Sequence, residues 1–232
     1  MLGELKQKVC EANLALVAEG LVLRTFGNVS GIDRDSGHAV IKPSGVSYDE
    51  MRPEHMVLVR LDTGQVVEGN LKPSSDTPTH LELYRAFEEI GGIAHTHSLH
   101  ATAWAQARRD LPAMGTTHAD FFYGAVPCTR QLTPEEITTE YEKHTGLVIV
   151  ERFEKLSYRD RPAVLVADHG PFTWGPSPQA AVENAVVLEY LAKLASETLR
   201  IEPYPRLRRR ELIEKHYLRK HGPGAYYGQD QL

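Results

Sequence analysis

A short apolar segment that ends in two histidines lies near the middle of the chain and restricts how the chain can fold. It runs from Gly91-Gly92 through Ile93-Ala94 to His95-Thr96-His97, and its composition predicts a buried strand. Side chains on a strand alternate between its faces, so residues two apart point the same way. His95 and His97 would therefore present two imidazoles side by side, which is half of a metal site. For such a pair taken alone, histidines held by ordinary hydrogen bonds are the alternative.

The segments around this strand predict a layered fold of helices and short strands. Apolar residues at helical spacing predict helices at the start of the chain, after Thr77-Pro78 and after Ser177-Pro178, where serine or threonine before proline is a typical helix start. Apolar runs predict strands at Leu21–Leu23, Ala39–Ile41, Met56–Leu61, Gln65–Glu68, Leu147–Val150 and Ala163–Ala167. Since strands and helices mix without strict alternation, we predict an α/β fold with three α/β/α layers around a central mixed, mostly antiparallel sheet.

Length and composition predict one domain in the cytoplasm. A chain of 232 residues is long enough to bury a core as a single domain, residues 1–232. Its two cysteines make no disulfide framework, and no apolar run approaches the length of a membrane span. The net charge of −5 gives no support to nucleic-acid binding over the whole surface. We therefore expect a cytoplasmic enzyme with a small-molecule substrate and with neither a nucleic-acid nor a membrane partner.

Further candidate metal ligands lie where other elements end. His169 follows the apolar segment that ends at Ala167, and Asp76 lies in the turn before the Thr77 helix. A catalytic zinc site usually takes three protein ligands and keeps one position open, so Asp76 is either a fourth ligand or a carboxylate beside the metal. Either residue could instead cap its own element. His100 and His118 are also available, so the residues alone leave the ligand set open.

Three polar turns in the first third of the chain have the chemistry of an anion site. They are Gly27-Asn28, Lys42-Pro43-Ser44-Gly45 and Lys72-Pro73-Ser74-Ser75. Small hydroxyl and amide side chains, exposed backbone N–H groups and nearby lysines suit a phosphate monoester. One such turn would be an ordinary solvated loop, but three together favour a phosphorylated small substrate. The sequence contains neither of the glycine-rich nucleotide motifs.

These turns and histidines occur together in a known family. The segments Thr25–Ser30, Ile41–Val46, Lys72–His80, His95–His97, Thr116–Asp120, His169–Pro171, His216–Gly222 and Ala225–Gly228 resemble the class II aldolase/epimerase family. The resemblance runs from the first helix to the last residues. Within the family it is greatest to enzymes that epimerise a pentulose phosphate at C4, and a true aldolase that releases its fragments is the alternative.

The resemblance implies a metal centre and a phosphate site. It implies a divalent metal, usually zinc with manganese or cobalt as other options, held by His95, His97 and His169 with Asp76 beside them. It implies that the sugar phosphate binds to Gly27, Asn28, Lys42, Ser44, Gly45, Ser74 and Ser75. One departure is Asp168, which stands where the family has serine.

The resemblance also implies an acid/base pair and a shared site. Asp120 and Tyr227 carry over as the pair, and His216 as a further tail residue that contacts the substrate. The family forms a cyclic homotetramer with sites between subunits, so Tyr227 would serve a neighbour's metal. The aldolases tend to carry glutamate where this chain has Asp76, which favours the epimerase.

The implied reaction inverts C4 by breaking and re-forming the C3–C4 bond. The C4 hydrogen is not next to the C2 carbonyl, so simple deprotonation is unfavourable. Cleavage instead leaves negative charge on the C2 and C3 oxygens, which a Lewis acid stabilises. The aldehyde fragment then turns and re-adds through its other face. Each of the two proton-transfer groups is typically worth about 10²–10⁴-fold in rate.

An arginine cluster in the tail is the only support for a non-catalytic nucleic-acid-binding protein. The cluster consists of Arg206, Arg208, Arg209 and Arg210. On a helix, such arginines more often pair across a subunit interface or face solvent.

Overall fold

A computed structural model describes residues 2–205 and 209–227. Within these residues there are eight α-helices and seven strands. The helices are α1 Leu2–Ala18, α2 Thr77–Ala86, α3 Leu99–Gln106, α4 Thr116–Ala119, α5 Pro134–Thr138, α6 Tyr141–Phe153, α7 Pro178–Ile201 and α8 Arg210–His221. The strands are β1 Asn28–Asp33, β2 His38–Ile41, β3 Val57–Arg60, β4 Val66–Glu68, β5 Gly92–His95, β6 Ala163–Val166 and β7 Gly170–Gly175. Arg206, Arg208 and Gly228 lie outside the described residues.

The seven strands form one antiparallel sheet. Their order is β4-β3-β2-β1-β5-β7-β6, and each pair of neighbours runs antiparallel. Among the described residues, parallel pairing occurs only as an isolated bridge between Cys128 and Leu165. The predicted α/β fold with a mostly antiparallel sheet is therefore confirmed.

Helices cover both faces of the sheet, which gives the three predicted layers. On one face, residues of α2 and α6 such as Phe87, Ile149 and Phe153 pack around Trp174. On the other face, α1 and α7 pack over β1 and β5. Burying one large apolar side chain is worth roughly 1.5–3 kcal/mol, so both layers hold the sheet firmly beneath the loops at its edges.

The longest helix, α7, begins at the predicted serine–proline pair. Pro178 is its first residue, and the Ser177 hydroxyl accepts a hydrogen bond from the Ala180 N–H at 3.2 Å. The helix packs against β5 and β7. Neither α7 nor any other helix in residues 2–205 and 209–227 combines the length and apolar character needed to cross a membrane.

Two predicted strands are wrong. Leu21–Leu23 is irregular, and the chain enters the sheet only at Asn28. Leu147–Val150 lies inside α6, where Thr145, Val148, Ile149 and Phe153 are buried at helical spacing. A short run of apolar and β-branched residues does not distinguish a strand from a buried turn of helix.

The register of the central strands places three loops at one edge of the sheet. Asn28 pairs with His95, and His95 pairs with Phe172. Because neighbouring strands run antiparallel, the start of β1, the end of β5 and the start of β7 coincide. The loops that carry the predicted site residues therefore meet there.

Candidate active site

Three histidines converge at this edge of the sheet. His95 is the last residue of β5, His97 follows it, and His169 lies in the turn between β6 and β7. One ring nitrogen from each lies within 4.8 Å of the other two, and the Nε2 atoms of His95 and His97 are 3.1 Å apart. His95 is buried, His169 is half-buried and His97 is exposed, so the cluster opens to solvent on the His97 side.

The surroundings of the cluster prepare its nitrogens to bind a cation. The Nδ1 of His95 lies 2.9 Å from the Pro171 carbonyl oxygen. Since a carbonyl only accepts, Nδ1 carries the proton and Nε2 keeps its lone pair. Burial lowers the pKa of His95, His97 and His169, so all three are neutral at pH 7. Three converging neutral imidazoles fit a divalent ion such as zinc.

Asp76 lies beside this cluster and does not cap the helix that follows it. It occupies the N-cap position of α2 without a side-chain cap bond. Its Oδ2 instead accepts a 2.7 Å hydrogen bond from the Asn28 amide and lies 4.0 Å from His95 Nε2. Burial opposes ionisation, but His95, His80 and Asn28 together lower the pKa of Asp76. The residue is therefore a carboxylate next to the three nitrogens.

A cavity of about 400 Å³ joins the histidines to the three polar turns. It is lined by Thr25, Phe26, Gly27, Asn28, Lys42, Pro43, Ser44, Gly45, Ser74, Ser75, Asp76, His95, His97, Tyr141, Glu142 and His169. This set contains every residue predicted to bind metal or substrate except His216. A larger cavity, about 540 Å³, lies behind Pro73 and Ser74 but has no histidine in its lining, so the smaller one is the candidate site.

Lys42 is a buried cation in the wall of this cavity. The residue is 2% exposed, and its Nζ lies 3.3 Å from the Thr25 carbonyl oxygen and 4.9 Å from the centre of the Tyr48 ring. Burial lowers the pKa of Lys42, and Asp76 raises it. Within the described residues no carboxylate lies within salt-bridge distance of Nζ. A buried charge without a counter-ion is costly, so the site suits an anionic ligand.

Fewer backbone N–H groups of the two lysine turns are free to bind an anion than the sequence predicts. The Ser44 N–H donates to the Lys72 carbonyl and the Ser74 N–H to the Lys42 carbonyl, each at 2.9 Å. These bonds join the two turns. The N–H groups of Gly27, Gly45 and Ser75 donate to no acceptor within the described parts of the chain. These three N–H groups, the Ser74 and Ser75 side chains and Lys42 form what we call the anion cradle.

Asp120, His216 and Tyr227 form a second cluster and do not line the cavity. Asp120 directly follows α4, and its carboxylate bonds to Arg219 at 2.9 Å and to His216 Nδ1 at 3.1 Å. Burial opposes ionisation, but Arg219, His216 and Lys220 lower the pKa of Asp120. The Tyr227 ring, 59% exposed, stacks against the Arg219 and Lys220 cations. In one chain the predicted acid/base pair is therefore separate from the histidines.

Two residues of the cavity belong to none of the turns or segments that the sequence singles out. Tyr141 and Glu142 begin α6, and the Tyr141 hydroxyl lies 3.4 Å from His169 Nδ1. The sequence from Thr133 to Thr145 reads as one helix, but Thr133 caps a short α5 and the chain bends at Thr139 before α6. No glycine or proline marks that bend in the sequence.

The two other histidines that the residues left open as ligands lie elsewhere. The His118 Nε2 is 2.7 Å from the Gly124 carbonyl oxygen, and the His100 backbone N–H donates to Glu189. Neither lines the cavity. The structure therefore reduces the candidate ligands to His95, His97 and His169, with Asp76 adjacent.

Half of the arginine cluster lies within the described residues. Arg209 and Arg210 are exposed, and Arg210 pairs with Glu214 at 2.7 Å. The other two arginines of the cluster lie outside the described residues.

Comparisons with known proteins agree with this architecture. The model of the family described as the class II aldolase and adducin N-terminal domain matches residues 7–196. An L-fuculose 1-phosphate aldolase structure is 28% identical over 92% of this chain and 94% of its own, with a TM-score of 0.78. The chain therefore belongs to the class II aldolase and adducin N-terminal domain family.

Two more distant structures share the fold. YgbL, a putative aldolase/epimerase/decarboxylase from Klebsiella pneumoniae, is 24% identical over 93% of this chain and 98% of its own, with a TM-score of 0.71. An aldolase II superfamily protein from Pseudomonas syringae is 18% identical over 96% of this chain and 88% of its own, with a TM-score of 0.77.

Proposed function

We propose that this chain is a metal-dependent L-ribulose-5-phosphate 4-epimerase, which interconverts L-ribulose 5-phosphate and D-xylulose 5-phosphate. The observation that carries the proposal is one cavity in which three converging imidazoles face a cradle built around the buried Lys42. That pairing suits a substrate with adjacent oxygens at one end and a phosphate at the other. Both cysteines are free and buried, which suits the reducing cytoplasm that we propose as its location.

His95, His97 and His169 would hold the divalent ion, zinc in our proposal. When bound, such an ion supplies Lewis-acid stabilisation of the charge that C3–C4 cleavage leaves on two neighbouring oxygens. The bond between His95 Nδ1 and the Pro171 carbonyl keeps that imidazole in one orientation. The exposed side of His97 leaves the cluster open for the sugar to enter.

The anion cradle would hold the phosphate throughout the reaction. Lys42 supplies the charge, Ser74 and Ser75 lie at the N-terminus of α2, and the helix dipole adds to their attraction for an anion. A phosphate held in the cradle would keep the aldehyde fragment bound while its carbonyl group rotates to present the other face.

Asp120 and Tyr227 would transfer protons to and from the aldehyde oxygen, one on each face. Within one chain they lie outside the cavity, and Tyr227 is exposed. We therefore propose that they serve the cavity of a neighbouring copy in a homotetramer. His216, bonded to Asp120, would help to hold that carboxylate in place.

A class II sugar-phosphate aldolase is the second candidate. Its support is the similarity to L-fuculose 1-phosphate aldolase at 28% identity. Both reactions use the same metal and phosphate groups, so the histidines do not separate them. Asp76 favours the epimerase, because the aldolases that the sequence resembles tend to carry glutamate at this position; its shorter carboxylate accepts a 2.7 Å hydrogen bond from Asn28.

One assay separates the two reactions. Zinc-loaded protein is incubated with L-ribulose 5-phosphate, while D-xylulose 5-phosphate and free glycolaldehyde phosphate are measured on the same sample. We expect the xylulose phosphate to form without free aldehyde. Glycolaldehyde phosphate that accumulates without the epimer would contradict the epimerase and support the aldolase.

A further inference from the structure

Tyr48 lies outside the candidate cavity, but its hydroxyl contacts the turn that forms one wall. The side chain is 5% exposed and packs in an apolar cluster with Val9 and Met56. Its hydroxyl oxygen lies 3.0 Å from the carbonyl oxygens of both Phe26 and Gly27. Because carbonyls only accept, the Tyr48 hydroxyl is the donor to this pair.

These contacts set the direction of the Gly27 N–H. In a trans peptide the C=O and N–H bonds point in opposite directions, and the Gly27 N–H shares its peptide unit with the Phe26 carbonyl. The bond to Tyr48 therefore turns the Gly27 N–H away from Tyr48. Gly27 lines the cavity, and its N–H donates to no acceptor within the described residues.

The same turn requires glycine at position 27. Gly27 has a φ of +79°, which side chains rarely adopt. A Cβ there would lie 2.8 Å from Val22 Cγ1 and 3.0 Å from the His95 carbonyl oxygen. Only glycine fits at this position. Because a glycine backbone is itself flexible, a hydrogen bond from outside the turn is needed to keep it in one conformation. The Tyr48 hydroxyl supplies that bond.

The ring of Tyr48 also contacts the cation of the cradle. Lys42 Nζ lies 4.9 Å from the ring centre and 3.3 Å from the Thr25 carbonyl oxygen. The negative face of an aromatic ring attracts a lysine cation, and more strongly when the pair is shielded from water. One side chain thus supports both Lys42 and the 25–27 turn.

Two of the three histidines are held by other means, and the His97 ring lies 6.0 Å from that of Phe26. His95 bonds to the Pro171 carbonyl oxygen, and His169 lies in the β6–β7 turn. Tyr48 has no hydrogen bond or ring contact with any of the three histidines among the described residues. A change at Tyr48 can therefore alter the cradle while the metal ligands remain in place.

We propose that Tyr48 is a positioning residue of the anion cradle: its hydroxyl aims the Gly27 N–H, and its ring supports Lys42, for binding a phosphate monoester. This inference rests on the proposed function only for the statement that the ligand is a phosphate. It assigns Tyr48 no contact with the substrate.

The test is Tyr48→Phe, which keeps the ring and removes the donor. Inorganic phosphate is titrated into zinc-loaded protein by calorimetry, and bound zinc is measured separately. Because the variant leaves the Phe26 and Gly27 carbonyls without this donor, we expect phosphate to bind about 10-fold more weakly, which corresponds to roughly 1.4 kcal/mol. Zinc content should stay at the wild-type value, and the KM for the sugar phosphate should rise more than kcat falls.

Thr173→Val is the matched control. Thr173 is fully buried, and its hydroxyl donates to the Ala181 carbonyl at 2.8 Å, away from the cavity. This variant also loses one buried hydroxyl that bonds to the main chain, so it reports a general loss of stability. Its phosphate affinity should equal that of the wild type.

Hydrogen exchange of the peptide that contains residues 24–30 gives a second readout. At a phosphate concentration near the wild-type Kd, phosphate should protect this peptide in the wild type and in Thr173→Val, and much less in Tyr48→Phe. Equal phosphate affinity and equal protection in Tyr48→Phe and the wild type would overturn the inference. Absence of phosphate binding in the wild type would also overturn it. A wild type that binds phosphate but epimerises no sugar phosphate would instead defeat the proposed function and leave the Tyr48 result to stand.

Discussion

At the scale of single residues, the three histidines differ in how strongly the fold holds them. His95 is buried between strands and bonded through Nδ1, whereas His97 lies beyond the end of β5 and is exposed. His97 can therefore be changed with the least effect on packing. It is the best position at which to test the metal centre.

His97→Asn should remove metal binding and turnover while the protein stays folded. Loss of one of three ligands should reduce zinc affinity by more than the roughly 10–100-fold typical for loss of a hydrogen-bond partner of a ligand. Zinc content by atomic absorption and a thermal melt of the same sample check this. Full activity in a metal-free variant would refute the site.

The side chain of Asp168, the departure from the family pattern, makes its hydrogen bonds away from the metal centre. Its carboxylate accepts from Arg108 at 2.9 Å and from Gln131 at 3.0 Å. Its backbone has a φ of +64° and its N–H donates to the Ala105 carbonyl. The residue ties the turn that presents His169 to the end of α3.

Asp168→Ser should therefore leave the reaction unchanged and cost little stability. Exposed ion pairs contribute roughly 0–1 kcal/mol, and serine tolerates the positive φ less well than aspartate. We expect activity within about 2-fold of wild type and a small drop in melting temperature. Asp168→Asn is the control, because asparagine keeps the size and tolerates the turn. A large loss of zinc in the serine variant alone would show that this turn sets the ligand geometry.

At the scale of elements, buried histidines couple stability to pH. His118 in α4 is 4% exposed, and its Nε2 lies 2.7 Å from the Gly124 carbonyl oxygen. Burial lowers the pKa of His118 to about 4. The unfolded chain takes up a proton near pH 6.5 while the folded chain does not. The stabilisation is thus complete above about pH 6.5 and is lost as pH falls towards 4.

His118→Gln should flatten this dependence. Between pH 6.5 and 4 the wild type should lose up to roughly 1.4 kcal/mol per pH unit through this one group, and the variant should lack that contribution. Urea unfolding at pH 7 and pH 5 measures the difference. Identical slopes in the two proteins would mean that His118 is protonated in the folded state.

The elements show which parts of the site could be read from the sequence. His95 and His97 share a strand end, and Thr77-Pro78 marks the start of α2, so local rules predict both. The absence of a bond from Asp76 to its own helix could not be predicted, because its partner Asn28 comes from another strand.

The errors have the same origin in long-range contacts. Leu147–Val150 became helix because α6 packs against α2, which a four-residue pattern does not report. The bonds that use the Ser44 and Ser74 N–H groups join two turns far apart in sequence. Tyr141 and Glu142 reach the cavity only because α6 starts at a bend that lacks glycine and proline.

At the scale of the whole molecule, the site proposed for one chain is incomplete. The cavity contains the histidines and the cradle, whereas Asp120, His216 and Tyr227 lie elsewhere, around α4 and α8. Phe26 in the cavity wall is 52% exposed, and Leu99, two residues after His97, is 76% exposed. A head-to-tail contact between copies forms a ring when its rotation closes. Such a contact would bring the tail of one chain to the cavity of the next.

Mixing two inactive variants tests this arrangement. Asp76→Asn damages the cavity, and Tyr227→Phe damages the tail. If each site takes its cavity from one chain and its tail from the next, random mixed oligomers contain intact sites. We expect co-expressed variants to regain about a quarter of wild-type activity, since chance pairing gives that share.

The matched control is a mixture of Asp76→Asn and His97→Asn. Both changes lie in the same cavity, so every site in that mixture is damaged and activity should stay at the level of the single variants. Metal content of Tyr227→Phe should equal the wild type, because the tyrosine ring lies away from the histidines of its own chain. If the Asp76 and Tyr227 variants regain no activity although they form mixed oligomers, both residues act from the same chain, and the cavity must instead receive Tyr227 by movement of its own tail.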